Sequence, residues 1–109
     1  DQQQYDEEAQ VDAICGVSLF IRSELWNKLR GFDEHFFAYY EDTDLSLRAR
    51  LLGSQCVYVP RSSIRHVHCG SGVEFSDYFN RNVAYSHLLF SSKFLPRKDW
   101  REKLKQVRE

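Results

Sequence analysis

Methionine is absent from this 109-residue chain, proline occurs only twice and cysteine three times. Without a Met, the chain is expected to begin partway through a longer protein or to follow processing of a precursor. No run of about 18 apolar residues occurs, so a membrane-spanning helix is not expected here. The acidic, Gln-rich start has neither the basic nor the apolar region of a signal peptide. Neither sign of charge is in excess, with 15 Lys and Arg against 16 Asp and Glu, which removes the bulk-charge argument for a nucleic-acid partner. Cys15, Cys56 and Cys69 are odd in number and unrelated in spacing, so no disulfide framework is indicated. They are expected to be small buried hydrophobes in a reducing, cytoplasmic compartment. What the chain does have is 42% apolar and 15% aromatic residues, enough for one small globular domain and too much for disorder.

Residues 1–10 form an acidic lead-in, and with Asp12 the first twelve positions carry five acids and no base. VDAICGVSLFI, from Val11 to Ile21, predicts a buried strand, with Gly16 marking a bulge or a close backbone approach. Ser23 predicts an N-cap for a helix ELWNKLR that buries Leu25, Trp26 and Leu29 and stops at Gly31. FDEHFFAYYEDTD mixes five aromatics with five carboxylates, a pattern of an ordered loop rather than of a strand or an amphipathic helix. A helix follows from about Asp42 or Thr43 to Leu52, with Leu45, Ala49 and Leu52 as its apolar stripe and Gly53 as its stop. Strands are predicted at Cys56–Val59, ended by Pro60, and at Ile64–His68. A last helix spans about Phe75 to Phe94, interrupted by Pro96. The tail from Lys93 carries seven bases and three acids. Trp100, Leu104 and Val107 there make a basic amphipathic helix, residues 98–109, for an anionic membrane surface or for docking on another part of the protein.

The run LRGFDEHFFAYYEDTDLSLRARLLGSQCVYVP resembles the signature of bacterial family 2 glycosyltransferases. It has a turn of the GGFDE type at Gly31–Glu34, an aromatic loop at Phe36–Tyr40, an ED-x-DL-x-x-R helix start at Glu41–Arg48, and a strand ending at Pro60. GVSLFIR upstream, and IRHVHCGSG, NRN and KFLP downstream, are similar to the family's other elements in the same order, so the match covers residues 11–97. Arg30 departs from the pattern, standing where the first Gly of the pair is usual. Rhamnosyltransferase-like members are the nearest in pattern. The resemblance implies an α/β fold: the C-terminal, acceptor-side portion of a GT-A (Rossmann-like) domain, with a few strands and flanking helices.

An inverting glycosyl transfer needs a carboxylate that takes the acceptor's hydroxyl proton from a fixed position in a cleft. Asp42, where an aromatic loop meets a helix start, suits that task, and the resemblance assigns it the role of general base, with Glu41 orienting the acceptor or the loop. The alternative is that Asp42 only caps the helix. Asp44 and Arg48, four apart, are expected to form a structural ion pair. Trp26, Tyr39 and Tyr40 are candidates for the acceptor wall, with Phe36 and Phe37, although Trp26 and Phe36 are expected to be buried.

His66 and His68 alternate on the expected strand, and an imidazole there can complete the coordination of a divalent cation or bond a phosphate. In the family pattern the position of His66 has that role, with His68, Ser71, Gly70 and Gly72 in the adjoining loop; ordinary packing or surface histidines are the alternative. A structural zinc site lacks the paired spacings such sites use. The implied cofactor is Mg²⁺ or Mn²⁺, and the implied partners are a nucleotide-diphospho-sugar donor and a glycan or lipid-linked acceptor, at the inner face of a membrane if the tail binds it. The nucleotide-binding half with its D-x-D motif is not in this stretch, since Asp42-Thr43-Asp44 opens a helix. The chain alone is therefore expected to be inactive, to expose apolar surface and a sheet edge, and to self-associate. A non-catalytic binding module of the same fold is the competing reading.

Overall fold

The computed structural model describes residues 5–67, 76–96 and 99. They fall into two compact units, residues 5–33 with 41–67 and residues 34–40 with 76–96.

In the first unit, β1 (Ala9–Val11) pairs antiparallel with β2 (Cys56–Tyr58), Val11 opposite Cys56 and Ala9 opposite Tyr58. The end of the acidic lead-in is thus a strand, with Ala9 and Gln10 still exposed to solvent. Tyr5 adds to the attachment, because Tyr58 Oη donates to its carbonyl at 3.2 Å and the two rings meet edge to face. Helix α1 spans Ser23–Leu29 and α2 spans Glu41–Leu51. Leu45, Ala49 and Cys56 are the buried apolar side chains among the described residues of this unit. Leu52 is not on that stripe; it is half exposed, because α2 ends one residue earlier and the chain turns away through Gly53.

The expected strand Val11–Ile21 keeps only Val11, and the reason is where its backbone donors go. Residues 12–16 run antiparallel along α2. Arg50 Nη1 donates to the Asp12 carbonyl at 3.2 Å and pairs with its carboxylate at 3.0 Å. The Ile14 amide donates to Ser46 Oγ at 3.1 Å, and the Gly16 amide to Asp42 Oδ2 at 2.7 Å. Two residues of extended chain advance about 6.6 Å and four residues of helix about 6 Å, so alternate positions of one meet successive turns of the other. A helix face therefore takes the place of a neighbouring strand. Gly16–Ser18 then closes a 3₁₀ turn with the Ser18 amide on the Cys15 carbonyl.

Both helices end in the same hydrogen-bonded motif. At α1 the Gly31 amide bonds the Trp26 carbonyl and the Arg30 amide that of Asn27; at α2 the Ser54 amide bonds Ala49 and the Gly53 amide bonds Arg50. The motif requires a left-handed residue, usually Gly. Gly53 fills it at α2 with φ 86°, but at α1 the position is held by Arg30 with φ 60°. Ser23 is the first helical residue of α1 and not its cap; Arg22 precedes it and makes no side-chain cap bond.

In the second unit, α3 (Asp77–Phe94) starts at Ser76, whose hydroxyl accepts from the Phe79 amide at 3.1 Å. It ends at Leu95, extended as the residue before Pro96 must be. The aromatic loop 34–40 belongs to this unit and buries Phe36.

Residues 64–67 are irregular and not the expected strand. His68, Cys69, Gly70, Ser71, Gly72 and Phe75 lie outside the described residues, as does the tail helix apart from Asp99. Cys56 is buried as expected and Cys15 is exposed, both as free thiols. Among the described residues no helix is long and apolar enough to cross a membrane.

Candidate active site

Asp42 sits in the first turn of α2, half-buried, and its carboxylate is held from both ends. Oδ1 accepts from the Thr43 amide at 2.6 Å and from Thr43 Oγ1 at 3.2 Å. Oδ2 accepts from the Gly16 amide at 2.7 Å. The close backbone approach expected at Gly16 is thus present, and Asp42 is what it approaches: a Cβ at Gly16 would stand 3.4 Å from the Asp42 Cβ and Oδ2. A carboxylate oxygen has about two acceptor sites. Oδ1 has both occupied by these contacts, while Oδ2 retains one.

Glu41 precedes Asp42 at the start of α2, and its Oε2 is buried with no hydrogen-bond partner among the described residues. Burying a carboxylate oxygen unbonded is unfavourable by about 1–3 kcal/mol or more. A hydroxyl or amide donor at that point removes the cost.

Asp44 is fully buried, with Arg48 Nε donating to its Oδ2 at 2.7 Å. The other guanidinium nitrogens reach α1, Nη1 donating to the Leu29 carbonyl at 2.8 Å and Nη2 to the Gly31 carbonyl at 2.9 Å. A single side chain thereby ties the start of α2 to the end of α1, using the fork that only Arg offers. Asp44 is committed to this structural network and faces no cleft.

Trp26 is half-buried rather than buried. Its ring lies over Gly31, where a Cβ would come within 2.9 Å of Cζ2, and meets Phe32 edge to face at 5.2 Å. These contacts make it a packing residue of the turn after α1.

In the second unit, Tyr39 and Tyr40 both take the left-handed conformation, each with φ 68°. Each ring has a partner on α3: Tyr39 meets Phe79 edge to face at 5.0 Å, and Tyr40 stacks on His87 at 5.5 Å with the planes 4° apart. Phe37 meets Tyr78 at 6.4 Å, and the buried Ser86 donates its hydroxyl to the Ala38 carbonyl at 2.7 Å. Phe36 is buried with Lys93 Nζ 5.3 Å from its ring centre.

His66 is exposed, and His68 and Ser71 lie outside the described residues. Among the described residues no three His, Cys, Asp or Glu side chains gather as metal ligands. An open cavity of about 560 Å³ in the first unit is lined by Ile14, Leu19, Phe20, Leu25 and Leu45 among others, and none of the expected site residues contributes to it.

Several contacts of the candidate residues are not foreseen from the sequence. Ser46 lies four residues after Asp42 and four before Arg50, and that polar line on one helix face was the available signal for the ladder to residues 12–16. Ser86 and His87 carry no sequence signal, because their partners lie more than forty residues away.

Residues 5–92 match the model of the family described as glycosyl transferase family group 2. Rhamnosyltransferase WbbL of Escherichia coli strain K12 is 34% identical over 89 residues, covering 81% of this chain and 32% of that protein. The N-acetylglucosaminyl-diphospho-decaprenol L-rhamnosyltransferase of Mycobacterium tuberculosis strain H37Rv is 37% identical over 59 residues, covering 54% of this chain and 19% of that protein. The chain therefore spans between about a fifth and a third of the length of these relatives. No solved structure matches it significantly.

Proposed function

The chain belongs to glycosyl transferase family group 2, and from that premise we propose that it is the acceptor-side part of an enzyme that transfers a sugar from a nucleotide-diphospho-sugar with inversion. The fold class that goes with membership is α/β of the GT-A kind, and two strands with three helices are its described portion here. Asp42 is the general base. The observation that supports this is its carboxylate geometry: fixed by Gly16 and Thr43, half-buried, with one acceptor site remaining on Oδ2.

The acceptor hydroxyl donates to Oδ2, and its oxygen attacks the anomeric carbon from the face opposite the diphosphate. The new glycosidic bond forms as the bond to the diphosphate breaks, the proton passes to Asp42, and the nucleotide diphosphate departs. Glu41, next to Asp42 in the chain, orients the acceptor or the loop. Tyr39 and Tyr40 are the aromatic residues proposed to contact the acceptor, and Trp26 remains a candidate for the same role. A Mg²⁺ or Mn²⁺ ion with the donor diphosphate belongs to this proposal for the whole enzyme. His66 is the described residue available to it, along with His68 and Ser71, and no step above runs through the ion. A rhamnosyl donor and a sugar carried on a polyprenyl diphosphate are the first substrates to try, given the two relatives' names.

The test is nucleotide diphosphate release by the full-length enzyme across a panel of sugar nucleotides with Mn²⁺, comparing wild type with Asp42→Asn. Loss of turnover on the order of 10²–10⁴-fold with folding intact is the expected result. A second reading, a non-catalytic module in which Asp42 anchors the start of α2, draws on the same three hydrogen bonds. Full activity in Asp42→Asn means that Asp42 only anchors the start of α2 and moves the search for the base to Glu41, since Asp44 is buried on Arg48; absence of any donor-dependent release in the wild type selects the non-catalytic module.

A further inference from the structure

We propose that Ser86 and His87 on α3 are positioning residues that hold the acceptor-wall tyrosines in a backbone conformation they would not adopt unaided. This inference rests on the acceptor-site reading of Tyr39 and Tyr40.

Two consecutive non-glycine residues with φ 68° are unfavourable. L-residues other than Asn and Asp rarely occupy the left-handed region, and two together persist only where surrounding contacts over-determine them. Those contacts come from a single face of α3. Phe79, Ser86, His87 and Phe90 recur at helical spacing, and all four touch the loop. Phe79 meets the Tyr39 ring at 5.0 Å, and Phe90 meets the Tyr40 ring at 5.5 Å with the planes tilted by 41°, in addition to the stacked His87. The Ser86 hydroxyl holds the Ala38 carbonyl, immediately before the left-handed pair.

Ser86 carries a specific structural requirement. It is 1% exposed, and its hydroxyl bonds a loop carbonyl rather than the preceding turn of its own helix, which is the usual recourse of a mid-helix serine. Replacing it by a larger residue overfills the site, and removing the oxygen leaves the Ala38 carbonyl without this donor. His87 acts differently, as a flat ring parallel to Tyr40 that fixes the plane of the tyrosine. A ring that stacks on a sugar must have its own plane fixed, or each binding event bears the entropy of ordering it.

A positioning role of this kind acts on the acceptor and not on the donor. The experiment is steady-state kinetics of the full-length enzyme with nucleotide-diphospho-rhamnose and a short-chain N-acetylglucosaminyl-diphospho-prenol, with Ser86→Ala, His87→Ala and His87→Phe. Loss of one hydrogen bond or one stacked ring is expected to raise the acceptor KM about five- to tenfold. The donor KM stays unchanged, and His87→Phe, which keeps a flat ring, retains an acceptor KM near wild type. If Ser86→Ala fails to fold, the two His87 variants decide the matter, since His87 is only partly buried. Equal acceptor KM in His87→Ala and wild type, or a loss of kcat with both KM values unmoved, overturns the proposal. Asp42→Asn measured alongside separates the two ideas: its full activity refutes the base assignment, whereas its collapse together with an unmoved acceptor KM in His87→Ala refutes only the positioning role.

Discussion

The Gly16 amide donates to Asp42 Oδ2 at 2.7 Å across 26 residues of sequence, and this contact aims the carboxylate. Thr43 holds only Oδ1, and a second anchor on the other oxygen narrows the remaining rotation of the group about its bond to Cβ.

Position 16 therefore separates sterics from aim. Gly16→Ala adds a Cβ at ordinary contact distance, 3.4 Å from Asp42, keeps the amide, and is expected to retain activity in the full-length enzyme. Gly16→Pro places a ring carbon where the amide hydrogen was, at the first position of a 3₁₀ turn that accepts proline, with Cys15 already extended before it. Asp42 must then turn away. The expected outcome is a fall in kcat on the order of 10–100-fold with the folded state retained, read by steady-state kinetics beside circular dichroism.

Ser46 is the middle rung of the same ladder, buried, and accepts the Ile14 amide at 3.1 Å. Ser46→Ala leaves that amide without its acceptor and is expected to lower stability by about 1–3 kcal/mol. Urea unfolding is the measurement, and an unchanged midpoint would show that Ile14 finds another partner.

The helices, their stops and the short strand before Pro60 were legible because each has a local cause: periodic apolar residues, a glycine with positive φ, a proline. Asp42 and Gly16 were also singled out separately, but not as partners. Their contact is set by a helix face standing in for a strand neighbour, and nothing in VDAICGVSLFI distinguishes a segment paired with a strand from one that lies along α2. The same holds for residues 64–67, where β-branched residues occur without a partner strand among the described residues to make them β. The loop conformation at Tyr39 and Tyr40 was illegible for a related reason: tyrosine gives no hint of left-handed backbone, and the rings on α3 that hold it are remote in sequence.

Arg48 serves three oxygens, on Asp44, Leu29 and Gly31. Arg48→Met takes the guanidinium away from a fully buried carboxylate, and is expected to be destabilising by about 3–5 kcal/mol. Arg48→Lys keeps the charge but not the fork, so it recovers only part of that loss. Pairing Arg48→Met with Asp44→Leu removes the buried charge as well and is expected to be milder than Arg48→Met alone, the non-additivity being the measure of the pair. Urea midpoints of the four proteins provide the cycle.

Arg30 and Gly31 end α1 with two left-handed residues in succession, φ 60° and 70°, yet only one of them is glycine. The Arg30 side chain is exposed, so its Cβ brings backbone strain and no evident packing. Arg30→Gly is expected to stabilise the protein by about 0.5–1 kcal/mol, the strain relieved being partly offset by greater freedom of the unfolded chain. Gly31→Ala goes the other way. It places a methyl group 2.9 Å from the Trp26 ring at positive φ, so the ring must shift, and the Gly31 carbonyl that Arg48 holds shifts with the turn. A loss larger than the gain at position 30 is the expected result. Thermal unfolding of the two variants checks the pair, and a stabilising Gly31→Ala would mean that the turn after α1 is not left-handed in solution.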